Sequence, residues 1–556
     1  MSEYNAKMRT NASSEGRVED LCPERTPMSS DTTDAHDAAH AESELEHMIS
    51  SAMSALASSA LVGETDGRAK RRGNVSGSTA TLANCAIGAG VLATPFAVSK
   101  FGTVGGGIVV LIAALLVAYT LVVLVRAGSA FESTSYQGLV RDAFGTRASR
   151  FVSGTLVVYL FGSCVAYLII IGDSYAKVMS AVASAGSSAW WGSRRFAIAV
   201  GATFLVTPLS LLREMSRLAP ASAVALVSLA YTAATITCKG MTRTSGGDDA
   251  KAVAFKFNTD SISAVPIVVF AFQCHIQVLA IFSELSADSA PEPHFEDDIE
   301  PIDGDARQAT EARRLSRMYT VIALAVGACF WGYLLVGEFA YVSHPNVTSN
   351  VLDSYGKDDK AMMVATIFMG FSAVASFPVN HHAARAALDD LLAEAFGWEV
   401  CAPGQAPVTR HATQTFAFVV FTTLVAFAVE DLGKVFEFIG ATCGSLVMFV
   451  IPALLLLHPK MRSSKAAADV EEPADDLLDG LDDVTRELLS SARDLLEQDF
   501  DEEGNILPSG DDANASFAAK PGVGTVVVAG ALILFASFVA ISNVYVLLFS
   551  EQKRDS

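Results

Sequence analysis

The feature that most constrains this chain is a recurrence. Stretches of about twenty apolar residues, separated by polar connections, begin near residue 76 and continue to residue 549. A helix rises about 1.5 Å per residue, so about 20 residues cross the roughly 30 Å hydrocarbon core of a bilayer. Candidate spans are 76–98, 105–126, 151–176, 196–212, 218–238, 262–285, 316–341, 361–381, 413–430, 435–457 and 522–549. They predict an all-α membrane protein with about 11 transmembrane helices. Composition agrees, with 51% of residues hydrophobic, 18% charged and a mean hydropathy of +0.38. Soluble domains seldom combine those values.

The net charge of −21 has a location. About two thirds of the 60 acidic residues fall in 1–72, 287–312 and 458–520. Acidity is therefore a property of solvated tails and loops, and no basic surface for nucleic acid exists. Residues 1–72 read as a disordered acidic cytosolic tail without a signal peptide. Residues 73–457 read as a ten-helix core, 458–520 as an acidic disordered cytosolic loop, and 521–556 as the eleventh helix with a short tail. With the N-terminus inside, Lys and Arg near the span ends number 19 on the inner side and 13 on the outer. The positive-inside bias favours that orientation. It puts 342–360 outside, where the Asn346-Val347-Thr348 sequon is a glycan acceptor; Asn11, Asn74 and Asn514 begin sequons expected to stay silent. The eight cysteines are scattered singly with no CxxC pair, so core-filling thiols are expected rather than a zinc site or disulfide framework.

Two spans are irregular. In "TLANCAIGAGVLATPFA" (81–97), Asn84 precedes the small-residue run Gly88-Ala89-Gly90, and Pro95 follows. A helix interrupted at that depth exposes backbone N–H and C=O groups, which is tolerated only beside a cavity. Half-helix N-termini attract a carboxylate, and an amide oxygen suits a small hard cation. A glycine-rich packing face explains the same residues equally well. The second irregular span, "VPIVVFAFQCHIQVLAIFSEL" (265–285), holds Pro266 and then Gln273, His275 and Gln277. The irregular spans are first and sixth, matching positions of two five-helix halves, as inverted repeats around a central site require.

These stretches, in this order, resemble the amino acid/auxin permease family, most closely its sodium-coupled neutral amino acid transporter branch. "FGSCVAYLIIIGDSYAKVM" (161–179), "GYLLVGEFAYVSHPNVTSNVLDSY" (332–355) and "SFPVNHHAARAAL" (376–388) add to the two irregular spans, so that the resemblance covers residues 73–460 closely. It implies a LeuT-like 5+5 inverted repeat plus one extra helix, and secondary active transport of amino acids by alternating access. It implies that Asn84, with a hydroxyl from Ser372 or Ser376, binds sodium, and that substrate meets Gly88, Ala89, Gly90, Phe272 and His275. The disulfide carried by some relatives in their outer loop is not expected, because 239–261 is short and lacks a cysteine.

The coupling ion is open between sodium and a proton; His275, Asp173 and Glu284 are the titratable candidates for the latter. No organic cofactor is expected. No HExxH, GxSxG or P-loop spacing occurs, so the chain is not read as an enzyme. A transporter-like sensor, signalling to cytosolic partners through the acidic tails, is the alternative from another class. The membrane is the plasma membrane or a vacuolar or lysosomal one. "DFDEEGNILPSG" (499–510) begins like a calcium loop, but Gly510 stands where the bidentate acid belongs, so an acidic linker is expected.

Overall fold

In the computed structural model, the described residues are 74–182, 190–212, 219–243, 252–285, 304–396, 407–463 and 523–549. The N-terminal tail, Cys22, Cys401 and the 499–510 segment lie outside them. The fold is all-helical. The first predicted span is two helices, α1 (Val75–Ala86) and α2 (Gly90–Phe101). Then follow α3 (Thr103–Phe131), the short α4 (Tyr136–Phe144) and α5 (Thr146–Val182). Helix α6 begins at Arg194–Val200, continues as a π-helix over Gly201–Val206 and ends with Thr207–Ser210. Next come α7 (Ala219–Arg243) and the sixth span, split into α8 (Thr259–Ala271) and α9 (His275–Glu284). The long α10 (Gly304–Ser343), α11 (Lys360–Phe396) and α12 (Val408–Ala428) precede α13, which runs from Leu432 to Leu456 through two π-helical segments. Helix α14 (Val523–Phe549) is last.

Every predicted span is thus helical, but not every one meets the test for crossing a membrane. Among the described residues, eight helices are long and apolar enough, and nine if α1 and α2, bent by 62° at their break, form one span. The two outside that count are α6 and α7. The first is short and locally underwound into π geometry. The second carries Ser228, Thr232, Thr235 and Thr237, and its described side chains begin only at Ala225. Three of these bond backward into the helix, Thr232 to Ser228 O at 2.8 Å, Thr235 to Tyr231 O at 2.8 Å and Thr237 to Ala233 O at 2.8 Å. Helical hydroxyls satisfied in this way are compatible with a bundle interior.

Short polar residues open several helices. The Asn74 side chain accepts from Gly77 N–H at 2.8 Å, Ser193 from Phe196 N–H at 3.3 Å and Asp431 from Gly433 N–H at 2.8 Å. Asn258 and Ser261 form a reciprocal box at the start of α8. Each cap satisfies an N–H that has no partner inside its helix. Gly102, with φ of +83°, turns α2 into α3, and a Cβ there would lie 2.7 Å from the Ala254 carbonyl oxygen. Only glycine fits.

The hydrophobic core runs between α2, α3, α5, α8, α10, α11 and α13. Lipid-facing residues such as Leu115, Phe204, Phe371, Phe421 and Leu534 are exposed, as expected of a belt that meets acyl chains rather than water. On the side where α10 ends, the 344–359 loop folds back. Its Val351 and Leu352 are buried, and the Lys177 ammonium donates to the Leu352 carbonyl. Beneath it, Asp173 of α5 meets Arg194 of α6 at 2.5 Å, a partner not evident from the sequence. Glu430 is exposed, whereas Glu338 is only half-buried and its Oε1 has no partner. None of the described cysteines is in a disulfide.

Three helices, α11, α12 and α13, stand between the 344–359 loop and residue 463, so with each crossing the membrane the loop and the chain after residue 463 are expected on opposite sides. Asn346 is exposed in that loop. Expression in a glycosylating cell should give a protein whose mass falls by one glycan when Asn346→Gln is introduced. Protease should cut a tag in 464–522 only after the membrane is opened. A tag in 464–522 and one in 344–359 cleaved from the same side would overturn this topology.

Candidate functional site

The interruption of the first span begins after Ala86, where helical hydrogen bonding stops. Ile87 N–H still reaches Ala83 O at 2.7 Å, but Gly88 N–H turns back to Ala86 O at 2.8 Å. Glycine lowers the cost of leaving the helix at that point. Helix α2 then starts with no side-chain cap. The N–H groups of Ala89 and Gly90 take no backbone acceptor among the described residues. They form the positive end of a helix dipole with free donors.

The sixth span breaks at Phe272–Cys274, six residues beyond Pro266, which sits inside α8 without ending it. Helix α9 also starts without a side-chain cap. The two breaks lie against one cavity of about 110 Å³, closed in by α5, α7, α11 and α13 as well.

Of the residues assigned from sequence, Asn84, Gly88, Ala89, Gly90 and Ser376 line this cavity. Phe272, His275 and Ser372 do not. Phe272 is 1% exposed and meets the Tyr333 ring edge-on at 4.9 Å. His275 is fully buried, with Nε2 2.9 Å from the Thr120 hydroxyl of α3. That hydroxyl also lies 3.0 Å from Leu116 O. With its one proton given to the backbone, Thr120 accepts from Nε2–H, and Nδ1 is left without a partner. Ser372 is buried one helical turn from Ser376, away from the cavity. Phe272 and His275 are near the break but turn away from the cavity, whereas Ser372 shares a helical face with Ser376 and lies one turn farther along α11.

Other residues take the positions facing the cavity. Gln273 and Gln277 line it, and their Nε2 and Oε1 atoms respectively have no protein partner. On α11, Asn380 follows Ser376 by one turn; its amide donates to Ser376 O at 3.2 Å and lies 3.5 Å from the Tyr167 hydroxyl of α5. A Cβ on Gly88 would lie 3.4 Å from the same hydroxyl, so Tyr167, Ser376 and Asn380 face the first break directly. Phe270 and Phe436 stack at 4.6 Å and wall the cavity toward the 344–359 side. Among the described residues, no Asp, Glu, Lys, Arg or His lines it. Among the described residues no cluster of His, Cys, Asp or Glu is arranged to hold a metal ion. What the site offers is neutral: free amides at a helix N-terminus, carboxamides, hydroxyls and two aromatic faces.

Comparison with known proteins agrees with that chemistry. The sodium-coupled neutral amino acid transporter 7 of Xenopus laevis is 28% identical over 405 residues, covering 69% of this chain and 81% of that one. The Homo sapiens protein of the same name is 29% identical over 69% of this chain and 80% of its own. Vacuolar amino acid transporter 2 of Saccharomyces cerevisiae is 27% identical over 69% and 76%. Among solved structures, Mhp1, a nucleobase-cation-symport-1 family transporter in a closed conformation, superposes with a TM-score of 0.45 at 13% identity, over 71% of this chain and 80% of that one. These relatives are transporters rather than enzymes. The family model described as transmembrane amino acid transporter protein matches residues 71–295 and 307–475, and the chain belongs to that family.

Proposed function

We propose that this chain moves neutral amino acids across its membrane by alternating access, coupled to sodium. The observation that carries the reading is the uncharged cavity at two helix breaks, with the Ala89 and Gly90 N–H groups free. A carboxylate needs such donors, and a helix N-terminus supplies them without a full positive charge. An uncharged lining disfavours a side chain bearing charge, because burying an unpaired charge costs several kcal/mol. The unpartnered Gln273 Nε2 and Gln277 Oε1 give a neutral, hydrogen-bonding side chain one donor and one acceptor.

Sodium favours oxygen ligands, and Asn84 and Ser376 bring an amide and a hydroxyl to the cavity from α1 and α11. Ser372 stands outside that set. His275, the group best suited to a proton, is enclosed between α9 and α3 and away from the cavity. The names of the Xenopus and human relatives support the sodium reading, and the yeast relative's name speaks for a vacuolar membrane in its case.

Purified protein in vesicles, with sodium and pH gradients imposed separately, tests this. Uptake should follow the sodium gradient. In Asn84→Ala the sodium concentration for half-maximal uptake should rise about tenfold, equivalent to about 1.4 kcal/mol, while high sodium restores the rate. Amino acid affinity should fall with it, because coupling between two ligands is reciprocal. Wild-type uptake that follows pH and ignores sodium would reject the assignment of Asn84 and Ser376 and return attention to His275.

A further inference from the structure

Tyr333 stands in the middle of α10, and its side chain is 1% exposed. Its hydroxyl oxygen lies 2.8 Å from the Ala86 carbonyl and 2.6 Å from the Ala271 carbonyl. These are the last residues of α1 and α8, the two half-helices that end at the breaks. In an unbroken helix each carbonyl would accept the N–H four residues on, from Gly90 and His275. Both bonds are missing here. The Ala86 carbonyl takes Gly88 N–H instead, and the Ala271 carbonyl receives no backbone N–H among the described residues. A terminal carbonyl carries the negative end of its helix dipole, and leaving it unsatisfied in a buried site is costly.

One phenol serves both. A hydroxyl has one proton, so it is shared between the two carbonyls or given to one at the expense of the other. We propose that Tyr333 is a positioning residue that ties the two interrupted spans together, its single O–H bridging the carbonyl ends of α1 and α8. Any displacement of one break changes the hydrogen bond available to the other. Phe272 acts through it, fixing the plane of the phenol ring by the edge-on contact. No charged group touches the pair, and the strap consists of one hydrogen atom between two dipoles.

The functional consequence rests on the transport reading; the strap itself does not. A cation held by Asn84 and a carboxylate on the Ala89 and Gly90 N–H groups both bear on the first break. Tyr333 passes their effect to the second break, where Gln273 and Gln277 face the same cavity. Sodium and amino acid affinities are then coupled through a contact that touches neither ligand.

Hydrogen exchange on the full-length protein in lipid nanodiscs tests the strap without any transport. Tyr333→Phe keeps the ring and its packing and removes only the hydroxyl. Amides flanking both breaks, in peptides covering 83–92 and 269–278, should exchange about tenfold faster, with the other spans unchanged. Fluorotyrosine at 333 is a stronger O–H donor of nearly the same shape, and should slow exchange at both. That opposite sign keeps the test decisive even if Tyr333→Phe folds poorly. A rise at one break only, a uniform rise over all spans, or no change would each overturn the proposal. In vesicles, wild-type protein that carries no amino acid would reject the transport reading while leaving the exchange result to decide the strap. If wild-type protein does carry amino acid, Tyr333→Phe should reduce sodium's effect on amino acid affinity at least threefold. Loss of maximal rate alone, with that coupling intact, marks Tyr333 as merely structural.

Discussion

Gly90→Ala is expected to insert normally and to take up amino acid at less than about a hundredth of the wild-type rate, while Gly88→Ala keeps most of it. Both substitutions add one methyl group at the same break, and only their surroundings differ. At Gly90 the new Cβ would lie 2.7 Å from Ala271 Cα and 2.9 Å from its Cβ. Those atoms belong to the end of α8, so no side chain can swing aside, and α2 and α8 must part. Overpacking of this kind costs about 1–3 kcal/mol. The larger effect is on geometry: a displacement of about 1 Å between groups that hold a substrate can cost about 100-fold in rate. At Gly88 the Cβ would lie 3.4 Å from the Tyr167 hydroxyl, which ends a side chain able to shift by tenths of an ångström. Uptake normalised to inserted protein separates the two variants. Near-normal transport by Gly90→Ala would mean that the contact between α2 and α8 opens freely and that the break is only a packing face. Gly88→Leu, in contrast with Gly88→Ala, fills the cavity and should stop uptake by occupying the substrate's space.

The breaks were legible where the sequence was locally extreme. Gly88-Ala89-Gly90 interrupts an apolar run with residues that hold a helix poorly, and the chain leaves the helix there. In the sixth span Pro266 is the conspicuous residue, yet α8 passes through it and breaks at Phe272–Cys274 instead. A proline is tolerated in a membrane helix when neighbours take up the freed groups, and Gly440 of α13 packs against the Pro266 backbone.

The site was legible to the level of residue type and not of facing. Gln277 lies two residues from His275, about 200° around α9, so the two face opposite ways. Gln273 stands in the break itself, where helical spacing does not apply, and the cavity has both glutamines. On α11, Ser376 and Asn380 are four residues apart and share a face. Ser372 is in phase with both, so periodicity cannot choose between the serines. Depth relative to the break does, and that depends on how α11 slides against α1. Tyr167 and Tyr333 carried no local signal, because each acts through partners more than 60 residues away in the chain. The full count of eleven spans is not established: among the described residues eight helices, or nine with the bent first pair, are long and apolar enough to cross a membrane.

Arg410→Met should cost about 3 kcal/mol of stability, and adding Asp389→Leu should return most of it. Arg410 at the start of α12 meets Asp389 of α11 at 2.6 Å, with the two side chains 12% and 9% exposed. The Gln414 amide donates to the same carboxylate oxygen at 2.8 Å. Removing the guanidinium leaves a carboxylate beside one neutral donor, in surroundings where a lone charge is expensive. Breaking a buried pair costs about 3–5 kcal/mol, and a charge at the centre of a membrane helix about 2.5–3.5 kcal/mol on insertion scales. The pair lies toward one end of α11, where partial hydration reduces both figures, so about 3 kcal/mol is expected. The double variant removes both charges and leaves only the Gln414 donor unmatched, a loss of about 1 kcal/mol. Unfolding in mixed detergent micelles, followed by the midpoint of helix loss, measures the cycle. If Arg410→Met alone costs less than about 0.5 kcal/mol, water reaches Asp389 freely and the α11–α12 contact is not closed at that depth. If the double variant is as unstable as the single one, the charge was never the source of the cost. The lost stability would then lie in the apolar stem of Arg410, which a methionine of similar length should have preserved.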